Sequence, residues 1–186
     1  MEASHWASMQ SPASEAAPNA GGIAIRPMRM SDLAQVVLID QLSFSLPWPE
    51  SAFRYELIDN PRSFILVAEH SPSDSAAQVV GVIVIWEVMD EAHIATLAVH
   101  PDHRRLGIAS KLLVSALKIA LTRGARTTTL EVRFKNEAAQ ALYQKFRFEI
   151  VGRRPRYYRD DNDDALIMTV NLRQVDDQGR AYLEMI

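Results

Sequence analysis

The chain has 186 residues, of which 48% are apolar and 23% are charged, with a net charge of −3 at pH 7. This length suits one domain, and the composition excludes a wholly disordered chain, a collagen and a coiled coil. Nucleic-acid-binding proteins usually carry a strongly basic face, which this balance does not indicate. The sequence contains no cysteine, so disulfides, thiolate nucleophiles and cysteine-bound metals are excluded.

No apolar run approaches the roughly 18 residues of a membrane helix, and no signal or transit peptide pattern precedes Arg26. We therefore expect a cytoplasmic protein with neither a membrane nor a nucleic acid as partner. Residues 1–22 are rich in Ala, Ser, Gly and Pro, which predicts a flexible N-terminal extension. A compact domain is predicted over residues 23–172 and a C-terminal tail over residues 173–186.

The first half of the domain is predicted to hold one strand, two helices and three more strands. In chain order they span residues 23–27, 31–43, 50–58, 63–69, 79–88 and 92–99. Ser31 and Asp32 are the predicted caps of the first helix. The run at 79–88 is continuously apolar, which is typical of a strand covered on both faces.

The second half is predicted to hold a helix, a strand, a helix and two strands. They span residues 107–123, 127–134, 136–145, 148–152 and 164–171. Gly124 ends the first of these helices, and Asn136 caps the second. This order predicts a mixed α/β (α+β) sheet with helices on both faces.

The turn before the predicted helix at 107–123 carries the most informative pattern. A buried strand leads into Pro101, and Arg104, Arg105 and Gly107 follow. The first turn of a helix has unpaired N–H groups and the positive end of the helix dipole, so it binds anions. Gly107 lets the backbone approach a ligand closely. The pattern indicates a pyrophosphate site that needs no metal, and a solvated arginine pair is the alternative.

The segment Arg104-x-x-Gly107-x-Ala109, after Leu97-Ala98-Val99, resembles the (Q/R)-x-x-G-x-(G/A) motif of the GCN5-related N-acetyltransferases. The resemblance covers residues 23–172 and implies one domain with a mostly antiparallel sheet of about seven strands and about four helices. It also implies acetyl-CoA as the cofactor, with Leu97, Ala98 and Val99 beside the pantetheine arm. The amides that it implies for the pyrophosphate are those of Arg104, Arg105, Leu106, Gly107, Ile108, Ala109 and Ser110.

The segment from Leu130 to Tyr143 is similar to the L-E-V-R-x-x-N-x-x-A-x-x-L-Y signature of family members that acetylate protein N-termini. The resemblance implies that Glu131 is the general base, Tyr143 the general acid and Asn136 a coenzyme contact. These residue types suit the chemistry. An α-amino group has a pKa of about 7.7–8.0 and is mostly protonated at pH 7. A carboxylate can accept its proton, and a phenol can protonate the leaving thiolate.

Each of these three residues also has a simpler interpretation. Glu131 alternates with apolar neighbours along the predicted strand, so it can be a surface carboxylate paired with Arg133. Tyr143 can pack at the edge of the core. Asn136 can act as a plain helix cap.

By the same resemblance, two stretches flank the substrate groove. Phe44 and Trp48 lie between the first two helices, and Tyr157 and Tyr158 lie in a segment, 154–160, between the last two strands. We predict that these four aromatic residues bind the substrate, with an ordinary exposed hairpin loop as the alternative. The acidic residues at 160, 161, 163 and 164 are interpreted as a solvated turn.

Two further features bear on the local structure. Arg147 stands where the family usually has glycine, and a positive φ there would cost roughly 1–2 kcal/mol. His93, His100 and His103 lack the carboxylate spacing of a metal site. We therefore predict no metal.

The residues and the resemblance together predict an acetyl-CoA-dependent N-terminal protein acetyltransferase that works by direct attack in a ternary complex. Its substrate would be a protein with a free α-amine, with an alanine-starting ribosomal protein as the candidate. Two alternatives stay open: acetylation of a small-molecule amine or lysine side chain, and a non-catalytic acyl-CoA-binding module. The oligomeric state is left open.

Overall fold

The computed structural model describes residues 22–72, 76–173 and Tyr182. The predicted extension and tail therefore lie outside the described residues, apart from Gly22, Arg173 and Tyr182. The described residues form seven strands and four α-helices: β1 Ile23–Pro27, α1 Leu33–Ser43, α2 Glu50–Ile58, β2 Ser63–His70, β3 Gln78–Val88, β4 Glu91–Val99, α3 Ile108–Thr122, β5 Thr127–Arg133, α4 Glu137–Lys145, β6 Glu149–Tyr158 and β7 Asp163–Asn171.

The seven strands form one sheet in the order β1-β2-β3-β4-β5-β7-β6. Only β4 and β5 run parallel, and every other neighbouring pair in this sheet is antiparallel. One apolar cluster packs α3 and α4 on one face, and another packs α1 and α2 on the opposite face. Residues 79–85 of β3 are all buried between them. The predicted fold class is confirmed.

Two expectations about the ends of α1 and β6 are wrong. Asp32 precedes α1, but its side chain makes no capping bond. Its carboxylate instead pairs with Arg26 at 2.7 Å and accepts from the Arg29 amide at 2.7 Å. β6 extends to Tyr158, so most of the predicted loop at 154–160 is strand. Pro155 is tolerated there because β6 is an edge strand and Pro155 lies in an irregularity of its pairing with β7, between Arg154 and Tyr158.

The end of α4 explains the unusual Arg147. The Phe148 amide donates to the Tyr143 carbonyl at 3.1 Å, and the Arg147 amide donates to Gln144 at 2.9 Å. These two bonds form a Schellman motif, and the rings of Tyr143 and Phe148 pack with centroids 5.6 Å apart. The motif places Arg147 at a φ of 60°. An L-residue is strained at this angle, and glycine is not.

Arg147→Gly is therefore expected to raise the free energy of unfolding by about 1 kcal/mol, as the relief of left-handed strain exceeds the entropic cost of glycine. Urea denaturation followed by circular dichroism measures the change. Arg147→Ala is the matched control, because it removes the same charge and keeps the Cβ. Equal stabilisation by both variants would show that charge, and not backbone strain, is responsible.

Candidate active site

β4 and β5 separate before either strand ends. They pair only from Glu91↔Thr127 to Ile94↔Leu130, although β4 extends to Val99 and β5 to Arg133. A bulge in β4 accompanies the separation, because its register with β3 shifts next to Ile94. The backbone groups of β4 that face β5 beyond Ile94 consequently have no partner strand.

A cavity of about 310 Å³ lies in this gap. Its walls come from β4, β5, the end of α1 with the α1–α2 loop, the start of α4 and the end of β6. It brings together seven of the predicted site residues: Phe44, Trp48, Leu97, Glu131, Asn136, Tyr143 and Tyr158.

The Glu131 carboxylate lies between a side chain of β4 and a side chain of β6. One oxygen lies 3.1 Å from His93 Nε2 on β4, and the other lies 3.1 Å from the Arg154 guanidinium on β6. The Glu131 side chain is only 12% exposed. The His93 ring is fixed in turn by stacking on Trp86, with centroids 5.7 Å apart. Glu131 therefore faces the cavity in a constrained orientation.

The alternative that pairs Glu131 with Arg133 is wrong. Arg133 instead binds Asp160 and Asp161, each at 2.7 Å, and its guanidinium lies 3.9 Å from the centre of the Tyr158 ring. Ser45 of the α1–α2 loop hydrogen-bonds Asp160 as well. These contacts join the two flanks of the cavity, and we call Ser45, Arg133 and Asp160 the clasp.

Of the four acidic residues predicted to form a solvated turn, Asp160 and Asp161 lie in the exposed turn between β6 and β7, whereas Asp163 and Asp164 belong to β7 and are engaged in contacts. Asp163 is buried and accepts from the Lys135 amide at 3.2 Å. Asp164 pairs with Arg153 at 2.5 Å and accepts from the Arg156 amide at 2.7 Å. Their charge is largely compensated within the fold.

Two phenols line the cavity in protonated form. Tyr143 is 7% exposed, and burial raises its pKa well above the ordinary value. Burial also raises the pKa of Tyr158 to about 12, against the opposing effect of Arg133. Both hydroxyls therefore keep their protons at neutral pH. Asn136 caps α4 as predicted, its side chain accepting from the Ala139 amide at 3.1 Å.

The β4–α3 turn adjoins the cavity but does not line it. Gly107 precedes α3 with a φ of 76°, and the space around a Cβ there is open to at least 4 Å. Arg104 donates to the Val99 carbonyl at 3.1 Å and to Ser43 at 3.3 Å, so its side chain fixes the turn to β4 and α1. The side chain of Ile108 is buried in the core.

The other predicted contacts divide by exposure. Ala98 is buried, Arg105 and Leu106 are exposed, and Ala109 and Ser110 are half-buried. Tyr157 is 46% exposed and packs edge-on against Tyr158 without lining the cavity.

Four residues at or beside this site were not assigned these roles from the sequence. Asp40 lines the cavity, whereas His93, Arg154 and Asp160 contact Glu131 or Arg133, which line it. These three contacts arise from strand pairing or a loop contact across many residues. Arg154, for example, lies opposite Ala165 of β7, the same strand that Glu131 pairs with at Ile167. Only the sheet order brings β6 to β5 in this way.

None of the helices in the described residues has the length and apolar character to cross a membrane. Within ranges 22–72 and 76–173 and at Tyr182, no three His, Asp or Glu side chains are grouped so that they could hold a metal ion.

Comparisons with known proteins agree with this geometry. The model of the acetyltransferase (GNAT) family matches residues 33–148. A Bacillus subtilis protein named "putative ribosomal protein bS18-alanine N-acetyltransferase" is 38% identical over 151 residues, which cover 81% of this chain and 97% of the relative. The chain therefore belongs to the GNAT family.

Solved structures share the fold. The ribosomal-protein alanine N-acetyltransferase of Escherichia coli superposes with a TM-score of 0.72 at 28% identity, covering 84% of this chain and 97% of that one. The NatC complex bound to Gag peptide and CoA gives a TM-score of 0.72 at 25% identity, covering 81% and 98%.

The contacts of the clasp are expected to control the pKa of Asp160. The hydrogen bond from Ser45 and the contact with Arg133 hold the pKa of Asp160 at about 2, below its ordinary 3.8. A lowered pKa means that the clasp stabilises the fold above pH 4 and is lost as the pH falls through about 2. Ser45→Ala is expected to raise the pKa of Asp160 toward 3.8, as measured by carboxyl-carbon NMR. Asp164 is the internal control and keeps its lowered pKa, whereas an unmoved Asp160 would contradict the clasp.

Proposed function

We propose that this protein is an N-terminal protein acetyltransferase, which transfers acetyl from acetyl-CoA to the α-amino group of a ribosomal protein that begins with alanine. The observation that carries the proposal is that Glu131 and Tyr143 line one cavity in the gap between β4 and β5. The names of the Bacillus subtilis and Escherichia coli relatives support the substrate class. A ribosomal substrate would place the reaction in the cytoplasm.

The residues around the gap suit acetyl-CoA. No strand pairs with the edge of β4 over residues 97–99 on the side of the gap, so this edge offers backbone hydrogen bonds to the amide-containing pantetheine arm, beside the Val99 carbonyl that accepts from Arg104. The N-terminus of α3 offers its unpaired N–H groups to the pyrophosphate. Gly107 leaves open space there, and the main chain over residues 104–110 would supply the contacts. Asn136, which lines the cavity, would contact the coenzyme from the start of α4.

The proposed chemistry moves its protons through two side chains. Glu131 accepts the first proton of the substrate ammonium, directly or through water, and the neutral nitrogen attacks the thioester carbon. As the C–N bond forms and the C–S bond breaks, Tyr143 donates its proton to the leaving sulfur. The second proton, which the nitrogen loses as it becomes an amide, passes to the Tyr143 phenolate and restores the phenol. His93 and Arg154 hold the Glu131 carboxylate toward the reacting amine. Assistance of this kind is worth about 10²–10⁴-fold per group.

The walls of the cavity support a peptide as the acceptor. Phe44, Trp48 and Tyr158 line it together, and the clasp fixes the two flanks relative to each other. If these walls bound something other than a peptide N-terminus, the acceptor would be a small-molecule amine or a lysine side chain. A non-catalytic acyl-CoA-binding module is disfavoured, because it would need neither a constrained carboxylate nor a buried phenol in one cavity.

A panel of peptides that differ in their first residue tests this function. With acetyl-CoA, we expect CoA release to be fastest for the peptide that begins with alanine. Glu131→Gln is expected to lower kcat by about 10²–10⁴-fold while calorimetry shows an unchanged Kd for acetyl-CoA. Turnover of free lysine or polyamines alone would contradict the proposed substrate. Full activity of Glu131→Gln would contradict the proposed base.

The coenzyme site is tested by two glycines that share a positive φ. Gly107→Ala and Gly124→Ala each force alanine into the left-handed region, with open space around the new Cβ. Both are expected to cost roughly 1–2 kcal/mol of stability. Only Gly107→Ala should also weaken acetyl-CoA binding in calorimetry, since it distorts the proposed pyrophosphate turn. Equal Kd values for the two variants would contradict the assignment.

A further inference from the structure

Asp40 is a buried carboxylate in the wall of the proposed active site. It lies near the end of α1, is fully buried and contributes to the cavity lining. Its Oδ2 accepts from the Trp48 amide at 2.7 Å. Its Oδ1 is buried and has no hydrogen-bond partner among the described residues. One half of this carboxylate thus lacks the donor that a buried oxygen requires.

The other charged side chains of the cavity wall are compensated. Glu131 has His93 and Arg154 as partners. Arg133 has the carboxylates of Asp160 and Asp161. No Lys, Arg or His side chain within the described part of the chain forms an ion pair with Asp40.

The hydrogen bond to the Trp48 amide does not by itself explain why residue Asp40 is a carboxylate. The Trp48 amide needs one acceptor, which a neutral asparagine would supply equally well. Burial raises the pKa of Asp40, and the Trp48 amide offsets this only in part. A buried charge without a cation is unfavourable for the free protein. A cationic ligand in the cavity would remove that cost.

We propose that Asp40 receives the α-ammonium group of the incoming protein N-terminus and holds it in the cavity before Glu131 takes its proton. The inference rests on the proposed function and deepens it. Both oxygens of Glu131 are already engaged, so attraction of the charged amine falls to the uncompensated carboxylate. An α-amino group is mostly protonated at pH 7, so this is the form that arrives. N-termini that already carry an acyl group lack the charge and would not be held.

The test compares two peptides that differ only in that charge. One is an alanine-starting hexapeptide, and the other begins with a propionyl group, which is alanine without its amine. Their Kd values are measured by calorimetry on the full chain with saturating CoA. The wild type is expected to bind the amine peptide about tenfold more tightly, which is the lower end of the coupling measured for close charge pairs at interfaces.

Asp40→Asn keeps the acceptor for Trp48 and removes the charge. We expect Asp40→Asn to bind the amine peptide about tenfold more weakly than the wild type does. Its Kd for the propionyl peptide should equal that of the wild type. Glu131→Gln is expected to keep the preference for the amine while it loses turnover. Glu50→Gln, which removes an exposed charge paired with Arg54 on α2, is the control and leaves both Kd values unchanged.

Several results would overturn the inference. If the wild type acetylates alanine peptides but binds both probes equally, or if Asp40→Asn keeps the preference, the inference fails and the proposed function stands. If Asp40→Asn does not fold, the wild type and Glu131→Gln are compared instead. Loss of the preference for the amine peptide in Glu131→Gln would assign the binding of the ammonium group to Glu131 and overturn the inference. If the wild type neither binds nor acetylates alanine peptides, both proposals fail.

Discussion

The site depends on the point at which β4 and β5 stop pairing. Four residue pairs hold the two parallel strands together, and beyond Ile94 and Leu130 the strands continue without each other. An unpaired strand inside a sheet is unfavourable unless something replaces its hydrogen bonds. The gap therefore creates both a cavity and a free backbone edge. The bulge in β4 next to Ile94 accompanies this separation.

The side chains around the gap determine where a proton can be accepted and where one can be donated. Glu131 faces it from β5, held by strands on either side, and Tyr143 faces it from α4 with its proton retained by burial. An acceptor of protons and a donor thus line one cavity. The clasp connects the α1–α2 loop to the turn between β6 and β7. These contacts fix the positions of the two cavity walls relative to Glu131 and Tyr143. Asp40 adds an uncompensated negative charge to the same wall.

Features with local causes could be predicted from the sequence. The apolar spacing of α3, the Asn136 cap and the end of α3 before Gly124 each depend on a few neighbouring residues. The family motifs led to Glu131 and Tyr143, and the structure brings both to one cavity. Features with distant causes could not be predicted. The polar run at 153–158 is a strand only because β7 lies beside it, and Arg154 meets Glu131 only through that sheet order. Asp40 looks like an ordinary helix residue until its unpartnered oxygen is seen.

A crystal structure of the protein with acetyl-CoA tests the central claim most directly. The account predicts that the pantetheine arm pairs with β4 over residues 97–99 and that the pyrophosphate meets the amides around Gly107. The thioester carbon would then lie in the cavity between Glu131 and Tyr143. A coenzyme bound away from the β4–β5 gap, or a thioester out of reach of both side chains, would contradict it.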